Sequence, residues 1–318
     1  MPKKFFNPIV ISVIVVLTVV ISLFGIAYFY PKSQTNQASN PKINVVTSFY
    51  PLEFLAKQIG RDVVNVQNIT PAGTEVHEYE PTQQQIIDIS KSDLLLINGA
   101  GLESWSKKIA EINPSPKNIL DLSKSFQLSE LDEDGQKIQD PHIWLSPKNY
   151  IKMAQLVTTN LQTNQNQNTQ AKIKTNSQAL IQKLQNLDSN YQTQLSQANC
   201  AKTKFVTNHD AFNYLAKDYN LEAIPINGLS PESEPTTQEL TNLSDIVKSN
   251  NIKYILTETI ASPKLAQTLA KEAGLKTLEL NPLEGLTKED IESGKNYITE
   301  MNNNLKNLSL ALECKSII

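Results

Sequence analysis

The chain contains three histidines, and each stands where a side chain is free for chemistry. His77 lies in TEVHEYEP, His142 in DPHIWLSP and His209 in FVTNHDAF, each at a strand or loop end beside turn-forming residues. Imidazole nitrogens suit borderline divalent ions, and a nearby carboxylate offsets the charge that neutral rings leave uncompensated. Successive histidines are about 65 residues apart. That is far beyond a local zinc motif, so a joint site has to be assembled by the fold. A lone histidine is more often a hydrogen-bonded surface or core residue, but three at strand ends facing one crevice weaken that reading. No HExxH, GxSxG, P-loop or GxGxxG sequence offers another chemistry.

Holding such residues takes a scaffold, and 318 residues with 40% hydrophobic content are enough for two cores. Residues 43–146 alternate short apolar runs with helical patterns: INVVTSFY, PLEFLAKQIG, VVNVQNIT, PTQQQIIDISKS, DLLLING, ESWSKKIAEI and NILDL. This order predicts right-handed crossovers and a mostly parallel sheet, an α/β lobe. In residues 147–199 the strands stop and Gln and Asn dominate, yet Ile173, Leu180, Leu184, Leu187, Tyr191 and Leu195 keep the spacing of one helical face. A helix over Gln170 to Gln197 would be about 40 Å long, a spine between lobes. The alternation then resumes from KFVTNH to KTLEL and closes with a helical pattern from Lys288 to about Leu312, a second α/β lobe over residues 200–318. No repeat between the lobes is visible in the sequence. Ligands of open parallel sheets lie beyond the carboxyl ends of the strands, which puts the expected site in the cleft between lobes.

The first 32 residues differ from the rest. From Pro8 to Tyr30 they form a 23-residue uncharged stretch, PIVISVIVVLTVVISLFGIAYFY, after Lys3 and Lys4. Roughly 20 apolar residues cross a bilayer as a helix. No A-x-A-like cleavage site follows, so residues 1–32 are expected to be a retained transmembrane anchor, with the amino terminus in the cytoplasm and the bulk of the chain outside. No cysteine is near enough to carry a lipid, which leaves the helix as the tether. Residues 33–42 are polar and are expected to link anchor and domain. Cys200 and Cys314 can form one disulfide tying the tail to the second lobe, or remain as two thiols. A net charge of −3 without a basic, aromatic-interleaved run excludes a nucleic-acid footprint.

The segments PAGTEVHEYEPT, DPHIWLSP, VTNHDAFNYLAKDYNL, GLSPESEPT and LNPLEGLT, in this order, resemble the metal-binding subunits of zinc and manganese ABC importers. These are periplasmic or surface-anchored solute-binding proteins, and the resemblance covers nearly everything from Ile43 to Leu312. It implies two α/β lobes bridged by one long helix and a single metal ion between them. It also implies that His77, His142 and His209 are imidazole ligands, with the fourth ligand in the loop after the last strand. Many members begin that loop with aspartate. Here Asn281 takes that place, a poor substitute for a carboxylate, and Glu284 can supply the charge instead, as in a zinc-binding branch of the family. Glu258, in LTETIAS, falls at a strand's carboxyl end and is expected to orient a histidine, or else to replace Glu284. Glu75 and Glu78 are expected to be solvated.

Histidine at the third ligand position favours Zn2+, with Mn2+ as the alternative. Zinc-importer binding proteins often carry a histidine-rich loop before the second ligand. This chain has SELDEDGQKIQD there, with five acids and no histidine, read as a solvated loop. The resulting expectation is a non-catalytic, monomeric binding protein on the extracytoplasmic face that passes zinc to an ABC permease and its ATPase. The other readings are a manganese- or iron-type binding protein, a surface adhesin of the same fold, and a zinc hydrolase with Glu284 or Glu258 as general base.

Overall fold

The computed structural model describes Met1 and residues 41–112, 119–133, 135–231, 237–260 and 264–315. The expected anchor and all of the linker except Pro41 and Lys42 lie outside the described residues beyond Met1, as does the ESEPT portion of GLSPESEPT. Among the described residues no helix is long and apolar enough to cross a membrane.

Strands β1 (Ile43–Thr47), β2 (Val64–Asn68), β3 (Leu94–Ile97) and β4 (Ile119–Asp121) form a parallel sheet in the order β2-β1-β3-β4. Sequence sets these places. The all-apolar LLLI of β3 is buried along its length and sits inside the sheet, whereas the alternating VNVQN of β2 takes an edge. Helices α1 (Tyr50–Gly60), α2 (Gln83–Lys91) and α3 (Ser106–Ile112) supply the crossovers. A second sheet contains β7 (Lys204–Thr207), β8 (Glu222–Pro225), β9 (Tyr254–Thr257) and β10 (Lys276–Glu279), in the order β10-β9-β7-β8 and again all parallel. Pro225, which cannot donate to a ladder, ends an edge strand. Both sheets therefore carry the same strand order, a repeat of topology that the sequence does not reveal.

Three expectations change. Residues 129–140 are not a loop: β5 (Glu130–Glu133) and β6 (Gln136–Gln139) pair as an antiparallel hairpin, with Gly135 at φ 78° in the turn. The connecting segment holds a second helix ahead of the expected long one, so that the two form a helical hairpin. Here α4 (Pro147–Gln162) runs back against α5 (Gln167–Gln194), their approach marked by Thr158–Ser177 and Gln162–Gln170 hydrogen bonds. At 28 residues, α5 is about 42 Å long and starts three residues earlier than the apolar stripe suggests. Asn166 caps its first turn. The closing helical pattern is also split into α9 (Lys288–Glu292) and α10 (Tyr297–Ala311), because Gly294 at φ 83° ends the first helix and Asn296 caps the second.

The second half is completed by α6 (Asn213–Asp218), α7 (Thr237–Ser249) and α8 (Lys264–Ala273). One apolar core runs through both halves, from Val45 and Leu96 through Tyr150 and Leu184 to Phe205 and Tyr297. Contacts from Lys42 onward accordingly form a single compact unit. Helix α5 reaches both ends of it: Asn176 donates to Ile59 O near one end, and the Tyr191 hydroxyl donates to Met301 O near the other. Cys200 and Cys314 are joined as a disulfide.

Candidate metal centre

His77 sits in the loop between β2 and α2. Glu75 shapes that loop by accepting hydrogen bonds from the His77 and Glu78 backbone N–H groups (2.9 and 3.2 Å). Glu78 is exposed as expected, but Glu75 is half-buried, and burial followed by the charge of Glu284 pushes its carboxyl upward. A capping box at Thr82 and Gln85 ends the loop.

His142 follows the β5–β6 hairpin. Asp140 Oδ1 accepts both the backbone N–H and the Nδ1–H of His142 (3.0 and 2.9 Å), which leaves Nε2 to face inward. Asn98, just beyond β3, donates its amide to Pro141 O at 2.8 Å and ties this loop to the first sheet. His209 lies just past β7, where the chain order of the second sheet reverses between β7 and β9. Glu258, just past β9, accepts from His209 Nδ1 at 2.5 Å. Glu284 lies in the loop after β10, which a capping box at Thr287 and Asp290 ends.

Four inward-facing atoms meet. His142 Nε2 is 3.3 Å from His77 Nε2 and 3.4 Å from His209 Nε2. Glu284 Oε1 is 3.3, 3.5 and 3.2 Å from the Nε2 atoms of His77, His142 and His209. All four donors lie within 4.8 Å of one another. Donors at about 2.0–2.1 Å from a zinc ion mark a tetrahedron with edges of about 3.3 Å. Asn281 is not in the group, since its Oδ1 is turned onto Leu283 N.

The charges are matched to a cation. Burial opposes ionisation of Glu284, but the charge of His209 and hydrogen bonds from all three rings outweigh it and hold the carboxyl well below its usual range. Burial likewise opposes charge on His142 and His209. For His142 the carboxylates of Asp140 and Glu284 prevail and raise the ring's pKa; for His209, Glu258 and Glu284 raise it well above its ordinary value. Protons and a metal ion would therefore compete for the same ring nitrogens. His142 and His209 are fully buried, while the His77 side chain is 9% exposed. His77 lines a cavity of about 560 Å³ with Gly101, Lys107, Lys124, Gln139 and Leu229, so solvent approaches the centre from its side.

Asp140 and Trp144 are missed by the sequence reading. Asp140 is counted there among the acids of a loop, although an aspartate two residues before a histidine is a signal for a local side-chain to backbone turn. Trp144 packs on His142 with ring centroids 5.2 Å apart and donates Nε1–H to Pro282 O in the Glu284 loop.

Residues 45–311 match the family model described as zinc-uptake complex component A periplasmic. The zinc-binding lipoprotein AdcA of Streptococcus pneumoniae is 40% identical over 294 residues, covering 89% of this chain and 58% of AdcA. The chain thus spans just over half the length of that relative. The high-affinity zinc uptake system protein ZnuA of Bacillus subtilis is 38% identical, with 86% of this chain and 89% of ZnuA covered. Among solved structures, the Zn(II)-bound ZnuA-like domain of S. pneumoniae AdcA aligns with a TM-score of 0.74 at 40% identity, over 86% of this chain and 99% of that domain. The laminin-binding protein Lmb of Streptococcus agalactiae, described as having adhesin and metal-transporting activity, aligns with a TM-score of 0.75 at 30% identity, over 85% and 99% of the two chains. With its four convergent donors and a family match over most of its length, this chain belongs to the zinc-uptake complex component A family.

Proposed function

We propose that the chain binds one zinc ion through His77, His142, His209 and Glu284, with Asp140 and Glu258 orienting His142 and His209, and delivers it to the permease and ATPase of an ABC importer. The observation that carries this reading is that five of the six donor spacings are 3.2 to 3.5 Å, close to the edges of a zinc-sized tetrahedron, with all four donors within 4.8 Å of one another. Three rings and one carboxylate would fill a four-coordinate shell and leave no position for an activated water, which argues against hydrolysis. Nitrogen donors and a low coordination number favour zinc over manganese. The relatives named for zinc binding and zinc uptake support the same cargo.

On this reading the halves 43–146 and 200–318 hold the ion between them, joined through residues 147–199. The apolar stretch from Pro8 to Tyr30 anchors the chain and keeps the site on the extracytoplasmic face.

Metal analysis and competition titration of the chain purified without chelator test the proposal. One zinc per chain is expected. Glu284→Ala and His209→Ala should each weaken binding by at least about 100-fold, because each removes a ligand rather than a supporting group, whose loss costs about 10–100-fold. Unaltered binding in both variants would sink the assignment.

A further inference from the structure

The backbone just before Glu284 has a conformation that its sequence disfavours. Leu283 has φ 57° and is completely buried. In this left-handed region the Cβ crowds the following carbonyl, and a residue other than Gly, Asn or Asp stays there only when its surroundings over-determine it. Those surroundings are on hand. Asn281 Oδ1 accepts the Leu283 N–H at 2.8 Å, closing a side-chain turn over Pro282. Asn304 clamps the backbone of Asn281 on both sides, accepting its N–H at 2.8 Å and donating to its carbonyl at 2.7 Å. Trp144 donates to the Pro282 carbonyl at 2.8 Å. Each of the three residues before Glu284 is therefore fixed by a buried partner.

The arrangement carries a cost. The Asn281 Nδ2 is buried with no hydrogen-bond partner among the described residues, although a buried donor normally has one. What Asn281 does provide is the acceptor that keeps Leu283 left-handed. From that turn, Glu284 presents one oxygen, Oε1, to all three imidazole nitrogens. A loop free to relax would let the carboxylate pivot and offer both oxygens, which suits ions that take five or six ligands.

Building on the zinc site argued above, we propose that Asn281 is a positioning residue: it holds Leu283 in the left-handed conformation and so fixes Glu284 as a one-oxygen fourth donor selective for four-coordinate ions. It touches no ion itself.

The test uses the full chain in detergent, with Asn281→Ala alone and combined with Leu283→Gly. Zinc affinity, the ratio of zinc to manganese affinity, and the visible absorption of the cobalt(II) form are measured on each. Asn281→Ala is expected to weaken zinc binding about 10–100-fold, to narrow the zinc preference and to reduce the intense tetrahedral cobalt band. Leu283→Gly should then restore most of that loss, because glycine adopts positive φ without the turn. A chain that fails to fold as Asn281→Ala but folds and binds zinc as the double variant gives the same support. Zinc affinity and cobalt band unchanged in Asn281→Ala, or a loss that Leu283→Gly does not repair, would overturn the proposal and leave the zinc site standing. Failure of both variants to fold would also overturn it, since Asn281 would then serve the fold rather than the ligand. A parent chain that binds neither zinc nor cobalt would remove the site itself.

Discussion

Each of the three histidines presents Nε2 to the centre, and for two of them the choice of nitrogen is made by a carboxylate behind the ring. Asp140 holds Nδ1 of His142, and Glu258 holds Nδ1 of His209. The same carboxylates, with Glu284, hold both rings' pKa values above the ordinary range. A raised pKa in the folded chain means that these rings hold a proton to higher pH than an ordinary histidine, and zinc must expel any proton bound there to reach the lone pairs. Zinc affinity is therefore expected to fall as pH drops, by roughly 100-fold per unit while about two protons are displaced. The sign reverses for the metal-free fold: a raised histidine pKa adds stability that is present below the unfolded value and lost as pH rises through the folded one. The thermal midpoints of loaded and metal-free chain should thus move apart with rising pH. Calorimetry at several pH values checks this, and a constant gap would mean that no proton is exchanged. At this scale the sequence pointed to His77, His142 and His209 because each stands beside turn-forming residues, and to Glu258 because it follows the apolar run of β9, whereas Glu284 came through the resemblance of its loop to metal-binding subunits. Asp140 stayed hidden among neighbouring acids of the same charge and a different purpose.

Among the elements, strands and crossover helices were legible because buried parallel strands are apolar runs and surface helices carry a stripe. What escaped were places where polar composition masks local order. The β5–β6 hairpin reads as a charged loop until Gly135 in its turn is considered, and α4 lies in a segment whose more visible stripe belongs to α5. The duplication of strand order is invisible in sequence because topology constrains burial rather than identity. The disulfide could not be decided from two cysteines alone, since pairing depends on geometry. It closes a loop of 114 residues, and such a bridge restricts the unfolded chain by about 4–5 kcal/mol in the chain-entropy account. Cys200 lies before β7 and His209 just after it, at opposite ends of one strand. Replacing both cysteines by alanine should lower the thermal midpoint by roughly 8–20 °C, at about 2–4 °C per kcal/mol lost, and leave zinc affinity nearly unchanged. A large loss of affinity in a folded variant would show that the bridge reaches the site.

For the whole molecule, the question is how an ion held by the four proposed ligands would get in and out. Periplasmic binding proteins commonly close by a hinge between lobes. Here the two halves share a core, and several contacts would have to break together for a wide opening. Tyr150 and Tyr297 stack with centroids 3.7 Å apart, the Tyr297 hydroxyl donates to Trp144 O at 2.6 Å, and Trp144 donates across to Pro282 O. Near the site itself, Gly73 N–H donates to Leu286 O at 2.9 Å, linking the loops that carry His77 and Glu284. The stacked rings and the bonds of Trp144 lie in densely packed surroundings that do not deform continuously. The bond between Gly73 and Leu286 belongs to loops, the part of a fold that opens at low cost. Exchange is therefore expected to proceed through these loops on the His77 side, with the halves keeping their mutual placement. Small-angle scattering from a chain beginning at residue 33, with and without zinc, should give radii of gyration within about 1 Å of each other, the scale of motion of pre-organised partners. Hydrogen exchange should instead change mainly in the His77 and Glu284 loops. A contraction of several ångströms on adding zinc would replace this account with a hinge, and the shared core would then have to divide along a plane that these contacts do not suggest.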